Sequence, residues 1–245
     1  MLAFAPLHTA ASAAATVVTW LAGTLAPLTG GLATAAAIVL FTVGVRLLIS
    51  PLTLAQVRGE RRRAALAPEV RDLQRRYADD PARLQSELLT LYRRAGASPV
   101  AGCLPALLQA PFFLVMYRVF ATGDGSNGLL DGRLAGVPLG WHLGDGLAGP
   151  VVAVFGVLLA ALLAVAWWSS RRARRAAAAP GAGTPTEGPG AAILGRLMPL
   201  LPYTTVLVAL VVPLAAVLYL VTTTAWTALE QAVLRRPPAV DIDER

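Results

Sequence analysis

Ile38-Val39-Leu40-Phe41-Thr42-Val43-Gly44-Val45-Arg46-Leu47-Leu48-Ile49-Ser50 is an apolar stretch with one arginine set into it. The apolar run reaches back to about residue 32 and forward to about 55, long enough for the roughly 20 residues that a helix needs to cross about 30 Å of hydrocarbon. Arg46 then lies some fourteen residues in, roughly 21 Å from the start of the span at 1.5 Å per residue. An arginine in the hydrocarbon costs at least about 2.5–3.5 kcal/mol unless it faces water or a partner. Two readings are open at this point. Either Arg46 snorkels along its stem to the near interface, or it faces a wet groove as a receptor for something negative.

Four further apolar runs lie at about 99–121, 150–168, 193–212 and 214–234. The composition agrees: of 245 residues, 56% are hydrophobic and only 14% charged, about half the charged share of a soluble domain. A soluble globular chain and a disordered chain are both excluded. All 21 basic residues are arginine, and 18 of them fall in segments 56–98, 169–196 and the tail, against one, Arg133, in segment 122–149. That alternation is the positive-inside pattern. It predicts an all-α, polytopic membrane protein of five spans in the cell (plasma) membrane, N-terminus outside and C-terminus cytoplasmic. The net charge of +7 therefore reports topology before it reports nucleic acid.

Residues 1–31 form an extracytoplasmic N-terminal segment with no Asp, Glu or Arg and no basic start of a secretory signal. Its run 9–29, interrupted by Gly23 and Pro27, reads as a helix at the outer surface, with an additional span as the alternative. Segment 56–97 reads as a cytoplasmic helical hairpin. Pro68 opens a helix with Val70, Leu73 and Tyr77 at helical spacing. Asp80 and Pro81 supply the cap and first position of a second helix, which runs through Leu84, Leu88 and Leu91 and closes at Gly96. Segment 122–149 is a Gly- and Asp-rich outer loop, 169–192 a basic cluster followed by a Gly/Pro linker, and 237–245 a short cytoplasmic tail.

The last span carries Tyr219, Thr223, Trp226 and Glu230 at i, i+4, i+7 and i+11, which places them on one helical face. Gln109 lies between Pro105 and Pro111, whose rings free backbone carbonyls. For Gln109 and the threonines, packing within the bundle and lining of a groove are both compatible with the sequence. Catalysis is not expected: the two histidines, His8 and His142, lie outside the spans, and no paired intramembrane carboxylates occur. One cysteine, Cys103, leaves no thiol framework for a metal, so neither metal nor cofactor is expected.

The order of motifs resembles the YidC/Oxa/Alb membrane protein insertases. The resemblance is carried by Arg46-Leu47-Leu48-Ile49-Ser50-Pro51-Leu52-Thr53, Leu66-Ala67-Pro68-Glu69-Val70, Leu84 to Tyr92, Ser98-Pro99-Val100-Ala101-Gly102-Cys103-Leu104-Pro105 and Leu108-Gln109-Ala110-Pro111-Phe112-Phe113. Met198-Pro199-Leu200, Val217-Leu218-Tyr219 and Trp226-Thr227 extend it over about residues 32–236. It implies five transmembrane helices around a hydrophilic groove, with Arg46 as its arginine and Gln109 and Trp226 lining it; Tyr219 and Thr223, on the same helical face as Trp226, complete the expected client-binding set. The hairpin, with Arg71, Arg75, Arg76 and Arg83, would be a mobile client-receiving element. Implied partners are nascent membrane proteins, transiently the ribosome and Sec translocon, and anionic lipid, with no small-molecule substrate. Ala101-Gly102 departs from the familiar Gly-Gly, and the family's polar pair is Thr223-Thr224 here. The lack of a large periplasmic domain suggests the single-membrane, Gram-positive-type form, and the short tail counts against tail-mediated ribosome docking. A small transporter or channel would need an inverted repeat, which the halves do not display. A non-transporting assembly factor whose arginines bind lipid or ribosomal RNA is the other alternative.

Overall fold

A chain crossing hydrocarbon must satisfy its backbone N–H and C=O groups internally, so apolar runs of this length form helices. The structure, a computed structural model, describes residues 5–96, 114–115, 117–119, 128–146, 149–178 and 197–234. Its helices are α1 (Ala5–Thr29), α2 (Ala33–Ala65), α3 (Ala67–Arg76), α4 (Pro81–Arg94), α5 (Pro150–Ala178), α6 (Leu201–Ala209) and α7 (Leu214–Leu234). A two-stranded antiparallel ribbon, β1 (Arg133–Leu134) and β2 (Val137–Pro138), is the one sheet among the described residues. Two helical stretches, Thr9–Gly59 and Pro150–Arg175, are long and apolar enough to cross a membrane. The chain is an all-α membrane protein.

The first of those stretches is broken by a 3₁₀ turn at Gly30–Leu32, where Gly30 takes φ +54°. There α1 folds back along α2. Ala11, Ala14, Ala15 and Val18 make a buried stripe on α1, and Ala33, Ala35, Ala37 and Ile38 are buried on α2. Alanine stripes let two helix backbones approach closely without a hydrophobic driving force. The segment expected as a surface helix is therefore a 25-residue helix packed against the first span.

Two helices outrun their expected limits. The first, α2, continues ten residues past 55, and α5 continues ten past 168, through Arg171, Arg172, Arg174 and Arg175. Arginine and alanine are both strong helix formers, so the basic cluster read as part of a linker is helical to Ala178. In the expected fourth span, the described portion is a 3₁₀ turn, Met198–Leu200, then α6, ending at a bend before Pro213. Of the expected second span, residues 114, 115 and 117–119 are helical, while Cys103, Pro105, Gln109 and Pro111 lie outside the described residues.

The bundle pairs α2 with α1 and α7, and α5 with α6 and α7. Its densest packing is at the start of α7, where Leu214, Ala215 and Val217 are fully buried. That end is closed by residues 128–146. Trp141 and Leu139 carbonyls accept from the backbone N–H groups of Leu214 and Ala215 at 2.8 and 2.9 Å, satisfying donors that a helix start leaves unpaired. The ribbon, paired Arg133 to Pro138 and Leu134 to Val137, turns at Ala135-Gly136, both at positive φ as a tight two-residue hairpin requires. Gly132 lies so close to α2 that a Cβ there would stand 2.6 Å from Thr34 Oγ1. On the flanks, Leu48 (80%), Val211 (75%) and Val157 (70%) are largely exposed, a ring of apolar surface suited to lipid and not to water.

At the arginine-rich end, α3 and α4 form the hairpin. Asp80 Oδ1 accepts from the Arg83 N–H at 3.0 Å, and Pro81 occupies the first turn of α4. Gly96 ends it at φ +61°.

Candidate functional site

The seam between α2 and α7 carries the polar chemistry. Arg46 Nε donates to Thr223 Oγ1 at 2.8 Å, and Nη2 reaches the Thr223 carbonyl at 3.3 Å and the same hydroxyl. One turn further along α2, Ser50 Oγ donates to Glu230 Oε1 at 2.9 Å. Beyond it Arg61 Nη2 donates to the Leu234 carbonyl at 2.6 Å, at the end of α7. Three polar clasps thus tie α2 to α7. Among the described residues no carboxylate forms an ion pair with Arg46: Glu230 is taken by Ser50.

The other threonines answer to their own helix. Thr222, Thr224 and Thr227 hydroxyls donate to the carbonyls of Leu218, Leu220 and Thr223 at 2.8, 2.7 and 2.9 Å. Thr223 alone among them turns its hydroxyl to Arg46, and it is one of three polar residues buried among those described.

Beside this seam lies a cavity of about 230 Å³. Arg46, Thr223, Thr227 and Gln231 line it from the seam, Ser169 from α5 and Thr205 from α6. Leu162, Val165, Ala166, Pro202 and Ala228 make up much of the remaining wall, so a few polar groups are set in a largely apolar lining. The lining residues lie toward the arginine-rich half of the bundle, away from the packed start of α7. Among the described residues no group of three His, Cys, Asp or Glu side chains is placed to hold a metal.

A model of the family described as 60Kd inner membrane protein matches residues 24–240. The chain belongs to this family. Three relatives carry the name membrane protein insertase YidC. The one from Granulibacter bethesdensis is 45% identical over 83 residues, 34% of this chain and 14% of the relative. That from Chlorobium limicola is 42% identical over 83 residues, again 34% and 14%. That from Prosthecochloris aestuarii is 35% identical over 128 residues, 50% of this chain and 22% of the relative. The matched stretches thus cover 14–22% of these relatives' lengths. The resemblance to YidC/Oxa/Alb proteins seen in the motifs is membership, and this family member is membrane-inserted.

Of the residues expected at the site, Arg46 and Thr223 meet directly. Tyr219 is buried in the core of the bundle, and the Trp226 indole Nε1 is buried with no acceptor among the described residues. Neither is among the described residues that line the cavity, which takes Thr224, Thr227, Ala228 and Gln231 from the neighbouring face of α7. Gln109 lies outside the described residues. Arg71 and Arg83 sit on the hairpin, Arg71 Nε donating to the Ala67 carbonyl at 3.3 Å and the Arg83 guanidinium 5.4 Å from the Tyr77 ring centre. Arg75 and Arg76 are exposed in the last turn of α3. Sequence reasoning missed Ser50, Ser169, Thr205, Thr227 and Gln231. Thr227 and Gln231 had a signal, since they follow Thr223 at i+4 and i+8.

Proposed function

We propose that this protein is a membrane protein insertase and folding helper for nascent membrane proteins, with no catalytic chemistry of its own. The reading holds five spans around a hydrophilic groove, the N-terminus outside and the arginine-rich hairpin, linker and tail in the cytoplasm. The ribosome and Sec translocon are transient partners in it, and anionic lipid surrounds the cytoplasmic face. The observation that supports it most is Arg46, set at a cavity that four helices line and hydrogen-bonded to a neutral hydroxyl, not to a carboxylate.

A client's hydrophilic segment crosses hydrocarbon only against the loss of its hydration. A water-filled recess reaching into the membrane shortens the dry path, and the charge of Arg46, which no carboxylate among the described residues binds directly, attracts acidic segments. The hold on Thr223 is a neutral hydrogen bond, weaker than a charge-assisted pair with a carboxylate, so a client carboxylate displaces it. The client's own apolar helix then partitions into lipid, which drives the process without nucleotide hydrolysis.

The test is reconstitution of the purified protein in liposomes with a ribosome-bound single-span client. Wild type inserts clients with acidic translocated segments. Arg46→Ala lowers that yield about tenfold, equivalent to about 1.4 kcal/mol of lost attraction. Arg46→Lys keeps the charge and most of the yield. Equal insertion by wild type and Arg46→Ala refutes the role of the charge, and substrate-dependent current without insertion replaces the reading with a channel.

A further inference from the structure

Beyond the groove, one cluster on α5 is shaped for a ligand of its own. Trp167, Trp168, Arg171, Arg172 and Arg175 surround a recess of about 290 Å³. The Arg171 guanidinium lies 4.0 Å from the centre of the Trp167 ring, and that of Arg172 lies 5.5 Å from the Trp168 ring. A guanidinium stacked on an indole presents its face to the ring and keeps its in-plane N–H groups for a second partner. Arg171 and Arg175, one turn apart on the helix, are exposed, and Trp167 is half exposed.

The register of α5 identifies that partner. Counted from Pro150, Trp167 stands roughly 26 Å along the helix and Arg171 roughly 32 Å. A bilayer core of about 30 Å therefore places the indoles at one interface and the guanidiniums at the level of the phosphates. We propose that Trp167, Trp168, Arg171 and Arg175 form a binding site for the headgroup phosphate of one anionic phospholipid. The arginines hold the phosphate oxygens through paired N–H donors, and the indoles seat the glycerol backbone at the interface. The site lies on the flank of α5, while Ser169 and Leu162 of the same helix turn toward the cavity. It depends on the membrane register alone and not on whether the protein inserts clients.

The full-length protein is incorporated into nanodiscs of phosphatidylcholine doped with phosphatidylglycerol. Lipid retained after detergent extraction is counted by native mass spectrometry. Wild type retains one phosphatidylglycerol against the excess of phosphatidylcholine. Arg171→Gln with Arg175→Gln lowers its occupancy about tenfold or more, as two lost cation–phosphate contacts require. The corresponding double lysine variant recovers part of it. Arg93→Gln with Arg94→Gln, the same charge change on the hairpin, leaves it at the wild-type level. Unchanged retention in the first variant overturns the proposal, and so does an equal loss in the hairpin variant, which marks a bulk charge effect. Loss of binding to a ribosomal RNA fragment with phosphatidylglycerol retained also overturns it, by assigning the surface to RNA. Matching thermal unfolding curves show that the variants are folded.

Discussion

Arg46 carries five N–H donors and Thr223 offers it one hydroxyl and one carbonyl, both of which it uses. Removing that hydroxyl leaves a half-buried guanidinium short of an acceptor, so Thr223→Val costs about 1–3 kcal/mol. Thr223→Ser keeps the acceptor and most of the stability. Thermal unfolding in detergent reads the difference, and equal melting temperatures for the two variants contradict the assignment. Far from this seam, Asp145 accepts from the His142 backbone N–H at 2.8 Å and lies 3.2 Å from His142 Nδ1. The backbone donor first, and the ring second, hold its carboxyl below the ordinary aspartate range. The cap is therefore intact above the ordinary aspartate range and is lost as pH falls through the lowered value. The protection factor of the His142 amide, exchange being compared with the intrinsic rate at each pH, checks it: protection is high at neutral pH and falls in acid, and Asp145→Ala lacks it throughout. Arg46 was legible because a charge in an apolar run has few explanations. The choice of Thr223 over Thr222 and Thr224 was not, since all three can satisfy their hydroxyls on their own helix.

Caps and turns were the most legible elements. Asp80, Pro81 and Gly96 do at α4 what their chemistry prescribes, because these preferences are local to a few residues. Helix ends without such punctuation were misjudged: nothing in Ser169 to Ala178 stops a helix, and α5 runs through it. The rotation of α7 was also out of reach. Its polar stripe Tyr219, Thr223, Trp226 and Glu230 is a property of α7, but the face turned to the cavity depends on α5 and α6. The cap over α7 rests on close contact between Gly132 and Thr34. Gly132→Ala forces that contact apart and costs about 1–3 kcal/mol, the usual range for overpacking. The melting temperature falls, and Thr34→Ala in the same chain restores part of the loss. An unshifted melting temperature for Gly132→Ala shows that the cap yields freely.

At the scale of the molecule, the two ends of the bundle differ in kind. Residues 128–146 cover the start of α7, whereas the cavity beside Arg46 lies in the arginine-rich half. Under the proposed function, a recess confined to that half would take a polar segment partway without making a pore. The low charged share and the arginine bias made the membrane class legible from sequence, and the motif order made the family legible. The cavity itself was not, because it arises from four helices far apart in the chain. The decisive measurement places a photoreactive amino acid at Thr227, which lines the cavity, and in a second chain at Leu48, which is 80% exposed on the flank. Both are presented with a ribosome-bound single-span client during insertion. The account predicts client adducts from position 227 and lipid adducts from position 48. Client captured equally at 48, or insertion proceeding with none captured at 227, contradicts it.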